Sequence, residues 1–506
     1  MRQVASTMGL LLLMLAGCGD DTVKNPDSGT CIPSAGLDLP DPDFVDTNCD
    51  GIDGDIESSI FVAIDGSDSG DGTINAPFRT IQHAIDHAQS TSMSTILISE
   101  GVYEESVALI NNIGLYGGYD QSSGWSRSSS ATTKILSAGG SSAVVADGIT
   151  SSVIAMMHLE SSDAGIGESS IAVSFSSVSD VTLRNVEIVA GRGGDGAPGS
   201  TPTTSISDGL VGSQGNTAIR STSAEQTNAG GAGGAARTPC GKGGNGSNST
   251  FFGGLGTGGA HERHEATGEC LNVSWSGAAS GENGSAGANG LPGEPGVSMG
   301  AFNLDGAPVY LAANGGGDGT RGYNGEGGRG GSNGGGWSDC GGQVYLLPST
   351  GGGGGSGGQG GYGGTGGDGG GASIGLLVVS SENVELIEVA IRTDNGGNGG
   401  TGGLGQDGAG GGTGGPGGGQ TYLKCDPGGV SQSNMPAGQK GGDGGAGGLG
   451  GQGGGGGGGP AIGIAYFGTQ PIIGSSEISV GLGGEGGASE AQGANGESHE
   501  TYEISL

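Results

Sequence analysis

The sequence predicts an all-β fold, a right-handed parallel β-helix (solenoid) interrupted by Gly-rich insertions. Three observations carry the prediction: blocks of similar apolar/polar pattern recur far apart, glycine-rich tracts of period three separate them, and a short helix followed by short strands precedes them. Each block alternates apolar and polar residues as a strand with one buried face does, and a block that cannot bury that face alone must stack on its neighbours.

The blocks align residue by residue. SIAVSFSSVSDVTLRNVEI from Ser170 matches SIGLLVVSSENVELIEVAI from Ser373 without gaps, placing Ile171 on Ile374, Val173 on Leu376, Val181 on Val384, Leu183 on Leu386 and Ile188 on Ile391. AIGIAYFGTQPIIGSSEISV from Ala461 aligns with one residue lost. SMGAFNLDGAPVYL from Ser298 matches that last copy over a shorter stretch, with Pro308 on Pro471 and Val309 on Ile472, and is expected to form a short coil.

Before the blocks, Ile81, Ala84, Ile85 and Ala88 fall on one helical face after Pro77. Residues 96–99, 106–110 and 113–116 read as short strands bounded by Gly and Asn. Gly66, Asp68, Gly72, Thr73, Pro77, Phe78, Thr80, Ile81, Ala84, Gly101, Tyr103, Glu105 and Gly117 together resemble the amino-terminal cap of right-handed parallel β-helix proteins of the pectate-lyase-like superfamily. The resemblance implies the fold and no particular activity.

The glycine tracts leave the blocks after Ala190, Leu311 and Arg392 and return before Ser298, Ser373 and Ala461, so they emerge on one side of the solenoid. Glycine recurs at every third position from Gly281 and from Gly316, and the pattern tightens to Gly-Gly-X from Gly354 and from Lys440. Period three suits the polyproline II conformation. The two readings are ordered polyglycine II-like helices, with X residues outward, or a disordered, flexible coil. Embedded cysteines favour the ordered form, since disulfides remove unfolded-state entropy.

At the amino terminus, residues 1–17 carry one positive charge at Arg2, an apolar run, and small residues before a cysteine, the parts of an export signal. Leu15-Ala16-Gly17-Cys18 resembles the lipobox of bacterial lipoproteins, which implies lipidation of Cys18 and a membrane held through lipid alone. By resemblance to the enterobacterial sorting rule, Gly19 favours the outer membrane or cell surface. Seven cysteines leave six after Cys18. Fifteen pairings are formally open, and proximity suggests Cys31 with Cys49, Cys240 with Cys270, and Cys340 with Cys425.

A polar tether precedes DTNCDGIDGDIE, in which Asp46, Asn48, Asp50, Gly51 and Glu57 satisfy the spacing of a calcium loop, with the Ile52 carbonyl supplying a further oxygen. The flanks are not those of a helix-loop-helix hand, and Asp53 stands where an apolar residue is usual. The expected cofactor is Ca²⁺.

Composition narrows the function. With 127 glycines and 4% aromatic residues, much of the chain cannot build an ordinary core. A net charge of -35 excludes a nucleic-acid partner, disfavours anionic lipid, and keeps copies apart, so a monomer is expected. The chain divides into 1–17 signal, 18–45 tether, 46–57 loop, 58–190 cap and first coils, 191–297 insertion, 298–311 short coil, 312–372 insertion, 373–392 coil, 393–460 insertion, and 461–506 last coil and tail.

No catalytic set is identified. Lys134, Lys242, Lys424 and Lys440 fall outside the repeated blocks, Arg184 and Arg392 read as solvated strand residues, and Asp180 and Asn383 read as turn residues. HERHE from His261 lacks the spacing that places two histidines on one helix face, and GGLGQD from Gly402 is a single copy of a motif that works in tandem. The expected function is a noncatalytic, calcium-stabilised surface scaffold, either for surface interaction with a polysaccharide or a surface protein or for envelope architecture. The competing expectations are a carbohydrate-active enzyme on an anionic polysaccharide and, more weakly, ice or crystal-surface binding.

Overall fold

The computed structural model describes residues 31–505 apart from 32, 35, 92, 224–225, 237–240, 251–256, 265–269, 277–279, 305–307, 335–337, 340–344 and 425–431. The chain divides into two units, one ending at Glu57 and the other beginning at Ser58.

The second unit opens with a cap that explains its signature residues. Strand Ser59–Val62 is wholly buried and pairs in parallel with Thr95–Ser99. Helix Ile81–Thr91 buries Ile81, Ala84, Ile85 and Ala88, the face the periodicity predicted. Its first amides are satisfied from outside the helix: Ile81 N and Gln82 N donate to the Glu105 carboxylate at 2.9 and 3.0 Å. Asp68 accepts from Arg79 N and Thr80 N and fixes the approach to the helix. Gly72 sits at φ +72°, where an added Cβ would meet the buried Phe78 ring at 2.3 Å.

Three parallel sheets follow, one strand of each per coil. Sheet I runs through Thr95–Ser99, Gly114–Asp120, Thr150–Ala155, Ser179–Arg184 and the second half of Ser373–Ile387. Sheet II runs through Gly101–Tyr103, Thr133–Ser137, His158–Ser161, Glu187–Ala190, Ala390–Thr393 and Glu477–Ser479. Sheet III contains Val144–Asp147, Ser170–Ser176, the first half of Ser373–Ile387, Ala461–Gly468 and Ser498–Glu503. The sequence alignment is the physical register: Ile171 pairs with Ile374, Val173 with Leu376, Val181 with Val384, Leu183 with Leu386 and Ile188 with Ile391. Apart from Ile171 and Ile374, these side chains stack inside one continuous core. Each such side chain contributes about 1.5–3 kcal/mol by leaving water. The coil corners stack as well. Asp180 and Asn383 both occupy the left-handed region, and Asn383 Nδ2 donates to Asp180 Oδ1 at 3.0 Å, the turn role expected of them.

Residues 298–311 depart from the expectation. They form an antiparallel hairpin, Ala301–Asn303 with Val309–Leu311, and not a coil. The reason is register: Ser170–Ser176 and Ser373–Ile387 pair directly, which leaves no place between them for another strand. The hairpin instead lays Phe302 and Tyr310 on an apolar cluster with Ile171, Ile374 and Ile462.

The glycine tracts leave sheet II and return on sheet III, from Ala190 to Ser373, from Thr393 to Ala461, and again from Ser479 to Ser498. They pack side by side, joined by backbone hydrogen bonds that recur every third residue. Gly352, Gly355, Gly358, Gly361 and Gly364 donate to Gln439, Gly442, Gly445, Gly448 and Gly451. Gly400, Gly403, Gln406, Ala409 and Gly412 donate to Asp368, Thr365, Tyr362, Gln359 and Ser356. The first pairing is parallel and the second antiparallel, and both have the spacing of chains with three residues per turn.

Glycine content follows crowding. Around Gly351 to Gly355, residues 349–371 are surrounded by 191–217, 229–234, 241–247, 312–334, 394–419 and 437–460. There, a Cβ at Gly353, Gly354 or Gly355 would fall 2.0, 2.0 or 1.8 Å from a carbonyl oxygen of three different neighbours. Residues 453–459, also enclosed, are all glycine. Residues 394–419, with an open side, are mostly Gly-Gly-X, and 281–297, at an edge, have Gly only at every third position. The X side chains act on the backbone. Ser356 Oγ accepts from Leu210 N at 2.7 Å, Thr365 Oγ1 from Ser200 N at 2.7 Å, Asn398 Oδ1 from Glu485 N at 2.8 Å, and Asn245 Oδ1 from Gly233 N at 2.9 Å. Short polar side chains thus pair amides that the geometry leaves without a backbone carbonyl.

Candidate functional site

Within the first unit, Cys31 and Cys49 form a disulfide, the pairing that proximity suggested. The loop it closes gathers oxygen side chains around its own backbone. Asp46 accepts from Cys49 N at 2.6 Å and Gly51 N at 2.9 Å. Asn48 accepts from Asp50 N at 2.9 Å and donates to Asp50 Oδ2 at 3.0 Å, and Asp50 also accepts from Ile56 N at 2.8 Å. Asp46, Asn48, Asp50 and Gly51 are therefore together, Ile52 is buried, and the Glu57 amide turns to Asp55 Oδ1. The buried carboxylates are others: Asp38, which accepts from Thr47 and Gly54, and Asp53, which accepts from Asp41 N. Nothing in the spacing pointed to Asp38. The all-oxygen donors suit a hard cation, but among the described residues no three His, Cys, Asp or Glu side chains converge as a metal cluster.

On the outer face of sheet II, successive coils place a ladder of charges. Lys134 lies opposite His158, and His158 opposite Glu187. Glu160 bonds Lys134 Nζ at 2.7 Å and His158 Nε2 at 2.8 Å, while His158 Nδ1 meets Glu187 at 3.0 Å and Glu187 pairs with Arg392. Burial works to raise the Glu160 pKa, but its hydrogen bonds to Lys134 and His158 prevail and hold it below the ordinary value. Lys134, placed outside the repeated blocks by sequence, occupies a coil strand. Arg392 is ion-paired, and Arg184 lies between Ala155 and Ile387 with its Nε buried. The ladder was missed because its members come from separate coils, and one of those coils has no recognisable copy. A shallow cleft of about 510 Å³ adjoins it, lined by Glu160, Asp163, Arg392, Asp394 and Asn395.

The remaining sequence candidates do not join either site. His261 and His264 lie in strand Thr257–His264, paired with Cys270–Ser276. Cys240, Cys340 and Cys425, and the side chain of Cys270, lie outside the described residues, as does Cys18. GGLGQD belongs to the glycine array, where Gly402 N donates to Ala488 O.

Comparison with known families touches only the cap. Residues 64–117 match the family described as protein of unknown function (DUF1565). The match begins at Ile64 and ends at Gly117, and so spans the Asp68 and Glu105 hydrogen bonds that fix the helix. No curated protein and no solved structure matches the chain.

Proposed function

We propose that the protein is a noncatalytic scaffold, anchored at the outer surface by lipid on Cys18 and stiffened by Ca²⁺ at the Asp46 loop. Its β-helix holds the glycine array out as a rigid surface for a polysaccharide or a surface protein. The observation that carries this reading is the array itself. Amides bonded at every third residue, and glycines enclosed so tightly that no side chain fits, describe a surface built to keep its shape. Its outward residues, and not a pocket floor, would then meet the partner.

The sheet II ladder and its cleft favour one second reading, a carbohydrate-active enzyme. Against it stands the pairing of every ladder member, since a lyase or hydrolase needs an acid or base free to move a proton. The two readings separate in one experiment. The purified oxidised protein, incubated with anionic and neutral polysaccharides, is expected to yield no new reducing ends and no unsaturated uronate. Product that vanishes in Glu160→Gln would overturn the scaffold reading in favour of the enzyme.

A further inference from the structure

The channel above residues 441–459, walled by 394–419 and 281–297, is filled along only part of its length. Residues 481–488 and 491–497 lie in it: Gly396, Gly399 and Gly402 donate to the carbonyls of Leu482, Glu485 and Ala488, and Gly455 and Gly458 donate to Ala491 and Ala494. Past Glu490 the channel continues open, with a volume of about 1030 Å³. The amide row continues with it. Gly405 and Gly408 line the open part, and among the described residues no group accepts from either amide.

The open part differs from the filled part in three ways that define an occupant. First, Leu449 stands in the triplet position held by Gly455 and Gly458, where a Cβ would lie 1.9 and 2.0 Å from the carbonyls of Gly487 and Gly484. A chain in the open part therefore rests on side chains and cannot approach 437–460 as 481–497 does. Second, those side chains are apolar and exposed: Leu291, Leu404 and Leu449, at 69%, 63% and 42%, come from three segments to one place. Third, the charged lining residues are Asp208, Asp407 and Glu490, with no Lys or Arg among them.

Walls made of threefold helices repeat about every 9 Å, so the ligand that meets them repeatedly is itself a polyproline II helix. It must accept hydrogen bonds, offer apolar surface, and carry positive charge. We propose that the channel is a docking site for a basic, proline-rich polyproline II segment of another protein. Proline has no N–H to leave unpaired, its carbonyls accept from Gly405 and Gly408, its ring packs on leucine, and its rigidity lowers the entropy lost on binding. A second copy of this chain fits poorly, because it brings the same acidic charge. The inference rests on the array alone and holds whether or not Cys18 is lipidated.

Calorimetry on the oxidised protein, with peptides of repeated Pro-Pro-Lys triplets long enough to span Gly402 to Gly414, tests it. Pro-Pro-Lys is expected to bind, and Pro-Pro-Glu and the flexible Ser-Ser-Lys to bind about tenfold more weakly or not at all. Leu404→Asp with Leu449→Asp, both exposed X positions that the array does not enclose, is expected to weaken Pro-Pro-Lys about tenfold with the circular dichroism unchanged. Leu482→Asp, an exposed leucine of the filled part that does not line the open part, is expected to leave binding intact. Equal binding of Ser-Ser-Lys and Pro-Pro-Lys would reduce the effect to charge and overturn the proposal, as would indifference to the paired leucine substitutions. Self-association lost in the same pair would assign the channel to a second copy instead.

Discussion

Gly355→Ala is the sharpest single perturbation of the array. The new Cβ would lie 1.8 Å from the Gly412 carbonyl oxygen, far inside the 3.0 Å that real Cβ atoms keep. Residues 349–371 and 394–419 must then part locally by at least about 1 Å, which takes the adjoining bonds beyond hydrogen-bonding range. Those bonds are Gly412 N to Ser356 O, at 2.8 Å, and Gly415 N to Gly353 O, at 2.7 Å. Both are buried, and each unpaired buried group costs about 1–3 kcal/mol. The stiffer unfolded chain returns about 0.4–1 kcal/mol. The expected net loss is about 1–5 kcal/mol, read as a lower urea midpoint by circular dichroism on oxidised protein. Gly410→Ala is the matched control. Gly410 is exposed, and its Cβ would meet only Asp208 Oδ1, at 3.3 Å, so its effect should stay within about 0.5 kcal/mol. Equal midpoints for the two variants would refute the claim that crowding dictates glycine.

Three further outcomes are expected. Cys18→Ala should move the protein from the detergent phase to the aqueous phase and abolish labelling with palmitate; unchanged partitioning would remove the anchor. Residues 31–57 within the oxidised protein should bind Ca²⁺ with a Kd on the order of 10⁻⁴ M, as extracellular modules do, and Asp46→Ala should abolish the calorimetric heat; silence of the wild-type protein leaves the loop a self-capped acidic turn. Because the folded Glu160 carboxyl is held below its ordinary value of 4.5, its contribution is present above that pH and lost as the pH falls through the lowered folded value. Glu160→Gln should therefore flatten the acid limb of the stability profile between 4.5 and the lowered folded value, and identical acid limbs would contradict the ladder's pairing.

The solenoid was legible because its strands share one register. Alignment of Ile171 with Ile374 or Leu183 with Leu386 needed only the sequence, and the structure pairs the same residues. The same method misled at 298–311, where a chance likeness to the last block hid a hairpin whose Phe302 and Tyr310 pack on the outside of sheet III. Period three was equally plain, yet which tract neighbours which was not, since glycine carries no side chain to specify a partner. That information lies partly in the X residues, as when Thr365 selects Ser200 and Asn398 selects Glu485. It lies also in the change from Gly-X-X through Gly-Gly-X to unbroken glycine, which measures how many sides of a segment are enclosed. The charge ladder of Lys134, His158, Glu160, Glu187 and Arg392 could not be read in advance. Its members approach only when coils of unlike sequence stack, and the glycine tract between Glu187 and Arg392 is longer than the rest of the ladder.

The central claim is that the glycine tracts form a hydrogen-bonded array, and amide hydrogen exchange on the oxidised protein tests it most directly. The amides of Gly352, Gly355, Gly358, Gly441, Gly444 and Gly447, each bonded to a neighbouring carbonyl, are expected to stay protected for minutes or longer, while those of Gly405 and Gly408 exchange near free-peptide rates. Exchange of both sets at free-peptide rates would contradict the array and return the tracts to flexible coil.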